Sequence, residues 1–260
     1  MTDFTLDIDL RSDHVATIAF GRGANNFFDV RLISAIADAL DGLAADGSAR
    51  AVVLTGMGQH FCAGADLARG PGDVEDTVGG SEGPHLYDAA VRLFEQPLPL
   101  VAAVQGAAIG GGLGLALACD FRIASPDARF SAPFARLGVH NGFGTSVTLP
   151  LAVGHQKAIE LLYTGRRVKA TEAAAIGLVD ILANEGTSLA GAHALAREIA
   201  ASAPLAVQSM RVTMRGHLAN AVRAATEREK TEQAIHFATG DAAEGIRADR
   251  ERRAPVFLGR

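Results

Sequence analysis

The sequence predicts an α/β fold over its first two-thirds and a helical last third. Three observations carry that prediction. Strand-like and helix-like segments alternate from residue 4 to residue 124. The runs 51–55 and 100–104 are almost wholly apolar, as strands covered on both faces of a parallel sheet are. Beyond Gly144 the apolar spacing turns helical and stays so.

Phe4, Leu6, Ile8 and Leu10 alternate with polar residues and read as a strand. The polar turn Arg11-Ser12-Asp13-His14 leads to its partner, Val15 to Phe20. Asp29 is a candidate cap for a helix from about Val30 to Ala45, with Leu32, Ile33, Ile36, Ala37 and Leu40 on one face. The strand Ala51–Thr55 stops at Gly56. Residues 70–84 are rich in Gly, Pro, Asp and Glu and read as a mobile loop. A short helix Leu86–Phe94, a buried strand Leu100–Gln105, a small-residue helix Leu113–Ala118 and a strand Phe121–Ala124 follow. The last third reads as helices over about 144–163, 170–175, 188–202, 205–218 and 221–239. Thr171 before Glu172, and Asp241 before Glu244, are cap candidates. Thr226 to Gln233 (TEREKTEQ) reads as a solvated face.

Composition narrows the function classes. The chain has 260 residues, 48% hydrophobic and 20% charged, enough for one sizeable core and too apolar for disorder. A net charge of -5 argues against a nucleic-acid partner held by a broad positive field. The opening MTDFTLDIDLRSDH has no basic region followed by an apolar one, so no signal peptide is expected. The stretch Leu98–Cys119 is broken by Pro99, Gln105 and glycines, so no membrane span is expected. Cys62 and Cys119 are too few for a disulfide framework, and reduced thiols in a cytoplasmic protein are expected. No metal site is expected.

Two segments attract attention. Gly58 to Leu67 (GQHFCAGADL) follows the strand 51–55, and Gly106 to Gly114 (GAAIGGGLG) follows the strand 100–105. Both place small residues where a strand ends and a helix begins. A helix start offers unpaired N–H groups, and small residues let a ligand approach them. Two such turns on neighbouring strands can aim two N–H donors at one oxygen, which is what a thioester enolate requires. Neither segment is a phosphate loop of the G-x-x-x-x-G-K-[ST] or G-x-G-x-x-G type. Without further information, a structural role for these glycines stays open.

FCAGADL, PLVAAVQGAAIGGGLGLALACDFRIAS, ARFSAPFARLGV and DAAEGIRADRERRAPVF occur in that order. On these four segments the chain resembles the enoyl-CoA hydratase/isomerase (crotonase) superfamily over essentially its whole length. The resemblance implies a spiral ββα core over residues 1–200 and a C-terminal helical region over 201–260 that drives trimerisation. It implies acyl-CoA as the partner, a homotrimer or dimer of trimers, and no cofactor beyond the coenzyme A of the substrate. It gives the oxyanion-hole N–H groups to Ala65 and Gly111. Ala63, Gly64, Asp66, Leu67, Ala68, Gly110 and Phe134 fall along the substrate, with Asp66 bracing its loop.

The resemblance fails at the acids. Hydration in the family uses two glutamates; here their places hold Gly114 and Phe134, and a further acid of dienoyl isomerases is replaced by Gly142. Neither Gly nor Phe moves a proton, so standard hydration is doubtful. His140 is a candidate substitute base, weighed evenly against a hydrogen-bonding role. His85, Tyr87 and Asp88 are weaker candidates set against a solvated helix start; His60 and Asn141 read as packing and turn residues. Arg22 and Lys230 are candidates for the coenzyme phosphates or plain surface charge. Three readings follow: an acyl-CoA lyase or isomerase with atypical acid/base residues, a non-catalytic acyl-CoA carrier or sensor, and a thioester hydrolase or other enolate enzyme using His140 or Asp88.

Overall fold

The computed structural model describes residues 4–66, 85–184 and 188–260. Leu67, Ala68 and the expected loop 70–84 lie outside the described residues. Strand β1 (Thr5–Leu10) pairs antiparallel with β2 (Val15–Gly21), Thr5 facing Gly21 and Leu10 facing Ala16. Parallel to β2 follow β3 (Ala51–Gly56), β4 (Leu100–Val104), β6 (Phe121–Ala124) and β9 (Ile181–Leu182), in sheet order β1-β2-β3-β4-β6-β9. A smaller sheet holds β5 (Ala107–Ile109), β7 (Arg129–Ser131) and β8 (Val168–Lys169). The helices are α1 (Val30–Asp46), α2 (Leu86–Glu95), α3 (Gly111–Ala118), α4 (Thr145–Val153), α5 (His155–Thr164), α6 (Ala170–Ala175), α7 (Ser188–Ala200), α8 (Pro204–Phe237) and α9 (Gly240–Arg250).

Local chemistry explains the elements that the sequence predicts well. Asp29 caps α1 by accepting from the Leu32 N–H at 2.9 Å, and Gly47 ends it in the left-handed conformation. The expected face Leu32, Ile33, Ile36, Ala37 and Leu40 is buried. β3 and β4 are buried along their whole length, as their unbroken apolar runs imply. Their two faces feed two clusters. Val52, Leu54, Ala102 and Val104 join the main core with α1 and α2. Val53, Val101, Ala103 and Ile123 pack under Ala192, Ala196 and Ala200 of α7.

The structure corrects several expectations. The helix expected over 144–163 is two helices, broken at Gly154 with φ +79. Conversely, 205–218 and 221–239 form the single helix α8, since a lone Gly216 and Asn220 cost too little to stop it. Thr171 lies inside α6, whose cap residue is Lys169. α9 is capped by Thr239, which accepts from the Ala242 N–H at 3.1 Å, and not by Asp241. The strands β5, β7, β8 and β9 were not expected; at two or three residues each they leave no periodicity to read. TEREKTEQ is not wholly solvated: Thr226, Glu229 and Gln233, three to four residues apart, form a buried stripe of α8. No helix among the described residues is long and apolar enough to cross a membrane.

Polar anchors tie α8 and α9 to the rest. Asp120 accepts from Arg211 at 2.9 Å and from the Leu100 N–H at 2.7 Å, and forms an ion pair with Arg215 at 3.0 Å. The Arg215 guanidinium also donates to the Ala118 carbonyl at the end of α3, 3.1 Å away. The final residues are held by carboxylates of α9. Asp241 accepts from the Leu258 and Gly259 N–H groups at 2.7 and 2.8 Å. Glu244 accepts from the Val256 N–H at 3.0 Å and pairs with Arg253 and Arg247. Arg253 foremost holds the Glu244 carboxyl far below the usual glutamate range.

Two outcomes follow from these anchors. Asp120→Ala leaves the buried Arg211 guanidinium without its carboxylate and lowers unfolding stability by about 3–5 kcal/mol, measured by urea denaturation. Glu244 has a depressed folded-state pKa, so its hold on the tail is complete above the ordinary glutamate value of 4.5 and is lost as pH falls toward the depressed one. Carboxypeptidase therefore trims the tail of Glu244→Gln at neutral pH, and that of the parent protein only in acid.

Candidate active site

The two glycine-rich turns meet through backbone hydrogen bonds. Asn26 ties down the first turn, its amide donating to the Met57 and His60 carbonyls at 2.7 Å each. The Cys62 N–H donates to the Ala107 carbonyl at 2.8 Å, and the Ile109 N–H returns to the Cys62 carbonyl at 3.0 Å. Residues 61–65 thus run beside β5. On their other side the Ala63 N–H reaches the Asn25 carbonyl at 3.0 Å, and the Gly64 carbonyl accepts from the Phe28 N–H at 2.9 Å.

Small residues permit this approach. Gly64 has φ +89, and a Cβ placed there would lie 2.7 Å from the Ile109 carbonyl and 3.6 Å from the Gly111 nitrogen. A Cβ on Gly112 would lie 2.2 Å from the Cys62 carbonyl oxygen. The Ala65 turn therefore sits against the first turn of α3. Gly111 opens that helix, so its N–H has no intrahelical acceptor. Among the described residues, no backbone carbonyl accepts from the Ala65 or Gly111 N–H.

Both residues line a cavity of about 220 Å³. Ala63, Gly64, Asp66, Gly110 and Phe134 line it too, so the structure brings together every described substrate-contact residue that the resemblance names. The remaining walls are mainly apolar: Phe27, Phe28, Leu86, Ile109, Leu137, Val139, Phe143, Phe237 and Ile246. Tyr87, Gly142 and Gln233 complete one region of the lining.

The acid/base candidates fare differently. Asp88 does not line the cavity; its carboxylate accepts from the His85 N–H at 3.2 Å while His85 caps the Tyr87 N–H, which makes both a helix start. Tyr87, in the same turn, is not solvated: it is buried and faces the cavity. His140 is also outside the lining. Its Nδ1 lies 2.8 Å from the Asn141 carbonyl, and its ring stacks on His236 at 6.3 Å. His60 gives its carbonyl to Asn26, and Asn141 donates to Thr145 and Glu229.

Gly114 lies just behind the wall. A Cβ there would come within 2.7 Å of the Phe143 Cβ. Phe143 is itself buried, with an unusual φ of +61, and packs on Phe28 with ring centroids 5.5 Å apart. A Cβ on Gly142 would lie 2.0 Å from the Tyr87 hydroxyl. So at each of the three places where the resemblance expects an acid, an aromatic ring takes the space: Phe134 itself, Phe143 over Gly114, and Tyr87 over Gly142.

The loop carrying Gly142 and Phe143 is held by Glu229, a buried carboxylate of α8 that sequence reading missed. It accepts from the Gly144 N–H at 2.8 Å, the Ser146 hydroxyl at 2.6 Å and the Asn141 amide at 3.1 Å. Burial pushes its pKa up, against the pull of the Ser146 and Gly144 hydrogen bonds. The carboxylate faces the N-terminus of α4, where the helix dipole favours negative charge.

Comparison with known proteins shows the family of the chain. The family model described as "Enoyl-CoA hydratase/isomerase" matches residues 11–260. The chain is 36% identical to YngF of Bacillus subtilis (strain 168), over 96% of each chain. It is 33% identical to the enoyl-CoA hydratase EchA19 of Mycobacterium tuberculosis, over 96% of this chain and 95% of that one. The crystal structure of an enoyl-CoA hydratase/isomerase from Pseudoalteromonas atlantica T6c superposes with a TM-score of 0.85 at 34% identity, covering 97% of this chain and 99% of that one. The chain belongs to the enoyl-CoA hydratase/isomerase family and has its crotonase fold.

The Gly114–Phe143 contact is testable by itself. Gly114→Ala overpacks the site and destabilises by roughly 1–3 kcal/mol. A double-mutant cycle with Phe143→Ala, followed by urea denaturation, gives a favourable coupling of about 1 kcal/mol or more, because removing the ring relieves the clash.

Proposed function

We propose that the protein binds an acyl-CoA thioester in this cavity and stabilises its enolate with the Ala65 and Gly111 N–H groups. One observation carries the reading. Two turns from neighbouring strands are bonded together so that two N–H groups without backbone acceptors stand at the wall of one apolar cavity. Donors fixed by the backbone need no reorganisation as charge develops on the thioester oxygen, and a low-dielectric site strengthens them. Such a donor is typically worth about 10²–10³ in rate. The acyl chain faces the aromatic walls, and the coenzyme runs along Ala63 to Asp66.

The missing acids favour a reaction other than standard hydration. They also support a second reading, a non-catalytic acyl-CoA carrier or sensor, because Phe143 and Tyr87 occupy the space a side-chain base at position 114 or 142 would need. Hydrolysis through His140 or Asp88 draws no support from their placement. Exposed apolar residues on α8, such as Leu205 at 80% and Met214 at 72%, favour self-association as a homotrimer or a dimer of trimers. Two unpaired buried thiols suit the cytoplasm.

Infrared difference spectroscopy on an acyl-CoA with a ¹³C-labelled thioester carbonyl tests the proposal. Binding lowers the carbonyl stretching frequency, and Ala65→Pro, which removes one donor, reverses part of the shift. An unshifted band on the bound thioester overturns the oxyanion-hole assignment. Exchange of the α-hydrogen into D2O, present or absent, separates the enzyme from the carrier.

A further inference from the structure

We infer that Tyr87 and Gln233 form a recognition pair for a hydroxyl group on the acyl chain, an inference that rests on the acyl-CoA reading and specifies its substrate. The orientation of the pair is fixed by hydrogen bonding. The His140 carbonyl can only accept, so the Gln233 nitrogen 2.8 Å away is the end that faces it. The Gln233 oxygen then faces the Tyr87 hydroxyl at 2.6 Å, and the tyrosine must donate.

Counting what is left gives the complement. A phenol oxygen has two lone pairs, and donating to Gln233 uses neither. A carboxamide has two N–H groups, and one is unused. The pair thus offers one acceptor and one donor side by side, and both residues line the cavity. A hydroxyl is the smallest group that satisfies both. A ketone or carboxylate only accepts and leaves the tyrosine lone pair unmatched, and a methyl group leaves both unmatched. Burial and the nearby Glu229 charge push the Tyr87 pKa up, which keeps the phenol neutral and the directions of these bonds unchanged over the physiological range.

The surroundings make the pair selective. The Gly142 Cα lies against the Tyr87 hydroxyl, and any side chain there would collide with both members. Phe134, Phe143 and Val139 offer no competing polar group. An acyl hydroxyl that reaches the pair finds both a donor and an acceptor there; the charged residues of the same lining are Asp66, Asp249 and Arg250.

Isothermal titration of the full-length protein with butyryl-CoA, 3-hydroxybutyryl-CoA and 4-hydroxybutyryl-CoA tests the inference. One of the hydroxylated thioesters binds about 10-fold or more tightly than butyryl-CoA, the scale of two neutral hydrogen bonds. In Tyr87→Phe, and separately in Gln233→Met, that ratio falls to within about twofold of unity. Equal affinity of the parent protein for all three overturns the pair, whatever the variants do. A ratio retained by both variants also overturns it. If none of the three binds, the acyl-CoA reading itself fails and this inference falls with it.

Discussion

The reciprocal backbone bonding between Cys62 and the strand Ala107–Ile109 is the constraint from which the site follows. It holds the ends of two neighbouring parallel strands together beyond the sheet, where nothing in a parallel ladder would otherwise align them. The alignment needs Gly112 to have no side chain, because the Cys62 carbonyl occupies that space. It also buries Cys62 completely and pushes its thiol up to about 12, so this cysteine is packing and not a nucleophile. With the two turns bonded together, Ala65 and Gly111 are held side by side at the cavity wall.

The C-terminal helices secure the site from the other side. α8 crosses the core at Asp120, which it grips with Arg211 and Arg215, and then reaches the loop before α4 through Glu229. The Arg211–Asp120 ion pair and the donors around Glu229 offset the lost solvation of these buried charges. The same helix contributes Gln233 to the cavity wall. The C-terminal region is thus a structural part of the site as well as a candidate surface for assembly.

Inside the cavity the aromatic rings do two things. They occupy the space that side chains at positions 114 and 142 would need, and they leave a mainly apolar environment in which the few remaining hydrogen-bonding groups act strongly. Phe143 holds its place at a backbone conformation that a large residue rarely adopts. Strain of that kind persists where surrounding structure overdetermines it, and here Glu229, Phe28 and Gly114 all bear on the loop or its ring.

The sequence by itself determined the class of fold, the interior strands β3 and β4, the Asp29 cap, and the two turns with Ala65 and Gly111. These features are local: unbroken apolar runs, a capping residue and runs of small residues each act within a few positions of chain. The family resemblance implies acids at the places that Gly114, Phe134 and Gly142 hold. Only the tertiary structure decided what fills their places, because Phe143 and Tyr87 come from residues 29 positions beyond Gly114 and 55 before Gly142. It alone revealed that Glu229 and Gln233 are buried, since a charged, polar stretch of helix reads as solvated until the neighbour covering one stripe is known. And it separated Tyr87, which faces the cavity, from Asp88 beside it, which caps a helix. Adjacent residues on a helix point about 100° apart, so one turn can serve both the site and the scaffold.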